Sequence, residues 1–393
     1  MINTNDFRTK SVLLHKDNVT VDGYWPIALD VGYSSVKGFS PNSIFAFPSY
    51  AKNLGKNPKL YGELEPYEIL YRDGETGEIW RVGRSAQKMI SERDTGDSQM
   101  ELYGRDRYFS KMFKIIMECG LAFGLLSNPI KTYHHENIQV QTGLPPAYLE
   151  EDRQYLLDVL ATKHAFSIKT PETRQYINFD FELKPNQISV MSQPEGTLMS
   201  VAMDENAATI QEAKMYFRSN LIIFDAGFGT LDIFDIKNRT IRSKETFGEF
   251  GMRRILEATG QKIKKEYGVN IQPSAMQNFL EAGTFPIKSR QGIRVSSKHI
   301  PFDDYLQQSA EEICDEAIEK MLNIYSGLFD YRYLILTGGT SAAWETQIKD
   351  RLSEIEGLSV ITGNVNCPDL DLIFTNVRGY YMYLINALRR KRG

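Results

Sequence analysis

Two short segments of this chain repeat one another, and that repeat constrains the fold more than any other feature. The first reads Ile27-Ala-Leu-Asp30-Val-Gly32-Tyr33-Ser34-Ser-Val-Lys37-Gly-Phe; the second reads Ile222-Ile-Phe-Asp225-Ala-Gly227-Phe228-Gly229-Thr230-Leu-Asp232-Ile-Phe. Each is an apolar strand ending in Asp, a glycine turn, and a second strand with alternating character. The two Asp residues stand 195 positions apart in a chain of 393, about half its length. A repeat at that distance predicts two related α/β lobes facing one another. Glycine at such a turn lets backbone N–H groups approach an anion closely. Ser34 and Thr230 add hydroxyl donors, and Lys37 adds a compact positive charge suited to phosphate oxygens. Two carboxylates beside a polyphosphate make sense only around a cation. Mg²⁺ fits, since it takes one or two carboxylates plus phosphates and keeps several waters.

The turns exclude two commoner nucleotide sites. A dinucleotide-binding loop needs a helix after its glycines to present a positive dipole end to the pyrophosphate, and here an alternating strand follows. No GxxxxGK[ST] sequence occurs, which removes the P-loop NTPases. A third glycine motif lies in Leu334-Ile-Leu-Thr337-Gly338-Gly339-Thr340-Ser341, where a buried strand meets two glycines and a helix begins.

Composition narrows the partners. Forty-six Lys and Arg against fifty Asp and Glu give a net charge of −4, with no basic excess to hold a phosphate backbone directly. Cys119, Cys314 and Cys367 are too scattered for a disulfide framework or a thiolate zinc site. They suit a reducing, cytoplasmic setting. No stretch is apolar for long enough to cross a bilayer, so no membrane partner is expected. His134-His135 reads as a solvated pair, and the basic end of the last helix, Arg389-Arg-Lys-Arg392, fits the helix dipole.

The three motifs, in this order and spacing, resemble the phosphate-1, phosphate-2 and adenosine signatures of the actin/Hsp70/sugar-kinase ATPase superfamily. The wording DAGFGTLDIFDI is most similar to the ParM-like, plasmid-segregating bacterial actins. The resemblance implies an actin-like ATPase fold of the α/β class: two similar domains around a nucleotide cleft, each with a smaller subdomain. The expected division is an N-terminal extension over 1–22, domain I over 23–200 with a small lobe near 44–105, domain II over 201–365 with a small lobe near 268–301, and a segment 366–393 returning to domain I. It implies that Asp30 and Asp225 hold Mg²⁺, mostly through water. Gly32, Tyr33, Ser34 and Lys37 would cradle the phosphates from one side, with Gly227, Phe228, Gly229 and Thr230 on the other. Gly338, Gly339, Thr340 and Ser341 would face the adenosine. The stretch Ser189–Gly196 resembles the one that bears the water-positioning residue, making Glu195 a catalytic candidate beside Asp225. The implied activity is hydrolysis of ATP, with GTP left open, coupled to self-assembly into filaments. An adaptor protein would link the filament to plasmid DNA. A sugar-kinase-type phosphotransferase and a cell-shape or division actin remain the alternatives. Phe228, where a small residue is commoner, and the long segment before Trp25 depart from the family pattern.

Overall fold

The computed structural model describes residues 7–90, 105–126, 137–291 and 294–392. His134 and His135 lie outside them, as do 1–6 and 91–104 of the two segments expected to form the extension and the first small lobe.

The first half of the chain contributes β1 (Val12–His15), β2 (Trp25–Val31), β3 (Ser35–Ser40), β4 (Ser43–Pro48), β5 (Ala51–Gly55), β6 (Ile69–Asp73), β7 (Ile79–Val82), β8 (Ile138–Leu144), β9 (Lys163–Lys169), β10 (Ile177–Glu182) and β11 (Ile188–Ser192). The second contributes β12 (Leu221–Ala226), β13 (Leu231–Lys237), β14 (Thr240–Phe247), β15 (Thr284–Gln291), β16 (Arg294–Pro301), β17 (Tyr333–Thr337) and β18 (Ser359–Thr362).

The sequence repeat is a repeat of sheet topology. One sheet runs β1-β4-β3-β2-β8-β11 and another runs β14-β13-β12-β17-β18. In each, an antiparallel three-strand meander (β2-β3-β4, β12-β13-β14) continues into two parallel strands (β8 and β11, β17 and β18). The central strands β8, β12 and β17 are buried along their whole length. Their apolar runs follow from having both faces covered. β1 is the extra member: it pairs antiparallel with β4, Val12 opposite Ala46, and extends the first sheet at its edge.

A third sheet, β10-β9-β6-β7-β5, forms beside the first. It differs from the contiguous lobe expected near 44–105, because β4 belongs to the first sheet while β9 and β10 arrive from much later in the chain. Stacked rings supply the reason. Phe166 on β9 lies 5.5 Å from Tyr71 on β6 and 5.1 Å from Phe179 on β10. Near 268–301 the chain forms the short helix Pro273–Met276 and the hairpin β15-β16.

Helices cover both sheets, and two of them are exchanged. Helix Gln193–Ala202, which follows β11, buries Leu198 and Val201 against Leu221, Ile223 and Tyr333 of the second sheet. Helix Thr375–Arg392, which ends the described chain, buries Val377, Tyr381 and Ile385 against Ala28, Phe39 and Ile44 of the first. They cross at glycines: a Cβ on Gly379 would stand 1.7 Å from the Gly196 carbonyl oxygen. Only residues without side chains allow that approach.

Candidate functional site

The two glycine turns close in the same way. Gly32 N–H donates to Ser35 O at 3.0 Å, and Gly227 N–H donates to Thr230 O at 2.9 Å. Both hairpins open onto one cleft, together with the third glycine motif. Asp30, Gly32, Tyr33, Ser34 and Lys37 line it from the first sheet. Asp225, Gly227, Phe228, Gly229 and Thr230 line it from the second, and Gly338, Gly339 and Thr340 close one end. The hairpin tips meet there, since a Cβ on Gly229 would lie 2.9 Å from the Tyr33 ring. Arg107, almost fully buried, holds the first tip: it donates to Val31 O (2.9 Å) and Gly32 O (3.2 Å), with its guanidinium 4.8 Å from the Tyr33 ring centre.

The repeat differs at one register position, and the electrostatics follow from it. Asp30 pairs across its hairpin with Lys37, whereas Asp225 pairs across its hairpin with Asp232. Lys37 Nζ bonds Asp30 at 2.8 Å, so this cation neutralises its own hairpin's carboxylate. The second hairpin has a carboxylate in the corresponding place. Burial pushes the Asp225 carboxyl up to about 6, and nearby Asp30 adds to this against a hydrogen bond from Asn376. Burial, with Asp225 alongside, pushes Asp232 up to about 7, against hydrogen bonds from Thr246 and Thr230. A site that raises the affinity of two neighbouring acids for protons accepts a divalent cation in their place. Asp30 and Asp225 would supply the one or two carboxylates that a Mg²⁺ ion takes, with Asp232 opposite Asp225 in the register. Among the described residues no group of three or more Asp, Glu, His or Cys is set to hold a metal unaided.

Several side chains that the sequence reading passed over fix this geometry. Asn376 Nδ2 donates to Asp225 Oδ2 at 2.6 Å, and Asn376 Oδ1 accepts from Thr197 of helix Gln193–Ala202. The second hairpin is thereby tied to both exchanged helices. Gln193 lines the cleft and its Nε2 donates to Asp30 Oδ1 at 3.3 Å.

Two expected site residues stand elsewhere. Glu195 is not on the cleft: its carboxylate accepts from the Ser192 N–H (2.9 Å) and hydroxyl (2.8 Å), closing the first turn of helix Gln193–Ala202. The pattern Ser192-x-x-Glu195 with Pro194 is a capping-box signal legible in the sequence. Ser341 is fully buried behind the third motif, its hydroxyl accepting from Ala226 N–H at 3.2 Å. Thr340 reaches the cleft wall but donates to Gly227 O at 2.7 Å. The hydroxyls of the third motif thus fasten it to the second hairpin. Gly338, at φ +89°, makes the junction; a Cβ there would meet Ala226 O at 2.3 Å. Phe228 packs partly buried on the core of the second half, and its carbonyl accepts from Arg253 N–H at 2.9 Å while Gly227 O accepts from Met252 N–H at 3.1 Å. The start of helix Met252–Tyr267 is therefore satisfied by the hairpin.

Two sheets of one topology, helices exchanged between them, and a cleft flanked by paired glycine hairpins define the actin-like fold. Residues 28–196 match the family model of the actin-like proteins' N-terminal domain. A non-polymerisable quadruple mutant of pCBH ParM superposes with a TM-score of 0.66 at 19% identity, over 93% of this chain and 99% of that one. A ParM in a 15-stranded filament from Clostridium botulinum gives 0.66 at 18% identity, over 92% and 98%. An archaeal actin homologue in complex with ADP gives 0.59 at 17% identity, over 93% and 99%. No curated protein sequence matches the chain.

Proposed function

We propose that the chain is a Mg²⁺-dependent nucleoside triphosphatase that assembles into filaments with bound nucleotide, and that it segregates plasmid DNA through an adaptor protein in the cytoplasm. One observation carries the reading: two hairpins closed by the same hydrogen bond face each other across a single cleft, one from each sheet. A nucleotide between them would bridge the halves, and loss of its γ-phosphate would remove part of the bridge. The filament-forming ParM and the ADP-bound homologue of the same fold support assembly and nucleotide use. ATP is the proposed nucleotide, with GTP as the alternative. Among the described residues no helix is long and apolar enough to cross a membrane.

The bound Mg²⁺ supplies charge neutralisation at the phosphates. This chain's residues position. Asp30 and Asp225 would hold the cation, with Asp232 beside Asp225, and Asn376 orients Asp225. The tips Gly32–Ser34 and Gly227–Thr230 place the phosphates, with Lys37 close by. Gln193, rather than Glu195, orients the attacking water, because its amide faces the cleft while the Glu195 carboxylate is engaged by Ser192. Such hydrolysis needs positioning and charge stabilisation rather than a covalent intermediate.

The test is sedimentation with Mg·ATP and Mg·GTP across a range of protein concentrations. Nucleotide-dependent pelleting with phosphate release is the expected result. No pelleting at any concentration would remove filament assembly, and no phosphate release would remove the hydrolase. For the catalytic assignment, Gln193→Ala should lower phosphate release by about a hundredfold while nucleotide still binds. Wild-type turnover would move the role elsewhere.

A further inference from the structure

We propose that residues 7–10 form a strap across the end of the cleft bounded by Gly339 and Ile373, and that bound nucleotide exchanges only when this strap releases the second half of the molecule. The inference rests on the nucleotide reading of the cleft.

The strap is anchored on both sides. Phe7 is 2% exposed and sits in the core built by the second sheet and helix Met252–Tyr267. Gln277, itself buried, grips the chain on either side of Arg8: its Oε1 accepts from both the N–H and the hydroxyl of Thr9 (3.2 Å each), and its Nε2 donates to Phe7 O at 3.3 Å. Arg8 pairs with Glu281 at 3.3 Å. Lys10 pairs with Asp371, two residues before Ile373. Two residues beyond Lys10 the chain joins the first sheet, where Val12 pairs with Ala46. Further on, Asn18 N–H donates to Pro41 O and the Tyr381 hydroxyl donates to Val19 O. Between these anchors, Phe7, Arg8, Thr9 and Lys10 line the same cleft as the three glycine motifs.

Chain length makes this a clasp rather than a slack tether. From Thr9, held by the second half, to Val12, held by the first, there are three residue steps, and an extended chain covers about 10 Å in three steps. Parting of the halves at this end therefore has to break either the Gln277 grip or the β1–β4 pairing. The Gln277 grip is the weaker, with three hydrogen bonds and one apolar anchor against a strand ladder. Glu281 reinforces it from the other side of the mouth. It also pairs with Arg84, beside the β7 end of the third sheet, and Asn278 Nδ2 donates to Gln87 O at 3.2 Å. One carboxylate thus collects the strap and the first-half lobe together.

The experiment is a chase. Protein loaded with Mg²⁺ and a fluorescent N-methylanthraniloyl-ATP, below the concentration at which it scatters light, is mixed with excess ATP and followed by stopped flow. Two variants outside the cleft lining are compared with wild type. Gln277→Met removes all three hydrogen bonds, and should raise the dissociation rate about tenfold or more. Glu281→Lys sets a like charge against Arg8 and Arg84 on an exposed site, and should raise it several-fold. Association should quicken as well, because the strap bars entry as it bars exit. Should Gln277→Met fail to fold, judged by circular dichroism, the exposed Glu281→Lys carries the test alone. Wild-type exchange rates in a folded variant would overturn the strap while leaving the nucleotide site standing. Failure of the wild type to bind the labelled nucleotide would overturn both.

Discussion

Asp225 faces Asp232 at the register position where Asp30 faces Lys37, and this single difference between the two hairpins sets the chemistry of the cleft. Both acids of the second hairpin are raised, to about 6 and about 7, chiefly by burial. An acid whose folded pKa lies above its unfolded one binds more protons when folded. Its contribution to stability is present below the unfolded pKa and is lost as pH rises through the folded one. Without a divalent cation, the unfolding midpoint should fall between about pH 4 and about pH 7 from this pair. Added Mg²⁺ should raise the midpoint much more near pH 8 than near pH 5, since it competes with protons for the same carboxylates. Asp232→Asn keeps an oxygen for the Thr246 hydrogen bond and removes the charge. Thermal melts should show it more stable than wild type near pH 8 without Mg²⁺ and less responsive to Mg²⁺; an unchanged Mg²⁺ response would take Asp232 out of the site. The glycine turns and their Asp residues were legible because turn chemistry is local in sequence. Asp232 was written in the motif, yet its role appears only when the strands are set in register. Asn376 and Gln193 act across gaps of 151 and 163 residues, and no local pattern announces such contacts.

Among elements, the strands flanking the glycine motifs were plain from their apolar runs, and the period over Glu249–Tyr267 marked the helix that forms over Met252–Tyr267. The helix that positions Gln193 was not so marked. Glu195, between Pro194 and Gly196, has the neighbours of a loop residue, although Pro194 stands in a first turn, where its missing N–H costs nothing. Conversely, 202–218 reads as a helix but only Ala213–Arg218 forms one. Asp204 breaks the pattern, its side chain accepting from Asn206 and Ala208 N–H to form a turn with Ala207 at φ +56°. The crossing of the exchanged helices was likewise hidden, since Gly196 and Gly379 are far apart in sequence. Their contact leaves no room for a methyl group. Gly379→Ala should lower stability by about 3 kcal/mol, at the upper end of the usual cost of overpacking, because the obstacle is a backbone carbonyl that no rotamer change can move. Urea denaturation measures it, and a loss below about 1 kcal/mol would show that the helices part without penalty. Glu195→Ala belongs at this scale too: it should cost about 1 kcal/mol as a lost cap, with turnover nearly intact.

At the scale of the whole molecule, the question is how two halves with separate cores act as one. The largest apolar cluster of the second half and that of the first share no residue. They are joined by the pair of exchanged helices, each packed on the other half's sheet, by the Asn376 link from Thr197 to Asp225, by the strap from Phe7 to Val12, and by the Arg84–Glu281 and Asn278–Gln87 contacts at the mouth. All of these converge on the cleft, so a ligand there touches the join itself. Calorimetry separates the alternatives. Without nucleotide, the halves should unfold in two overlapping steps, because each retains its own core when the join loosens. Mg·ATP at a hundred times its dissociation constant should add about 2.7 kcal/mol. Because the ligand contacts both hairpins, that energy is lost when either half unfolds, and the two steps should merge into one sharper transition at higher temperature. A shift confined to one step would mean that the ligand engages one hairpin alone, and a nucleotide held that way could not transmit the loss of its γ-phosphate from one half to the other.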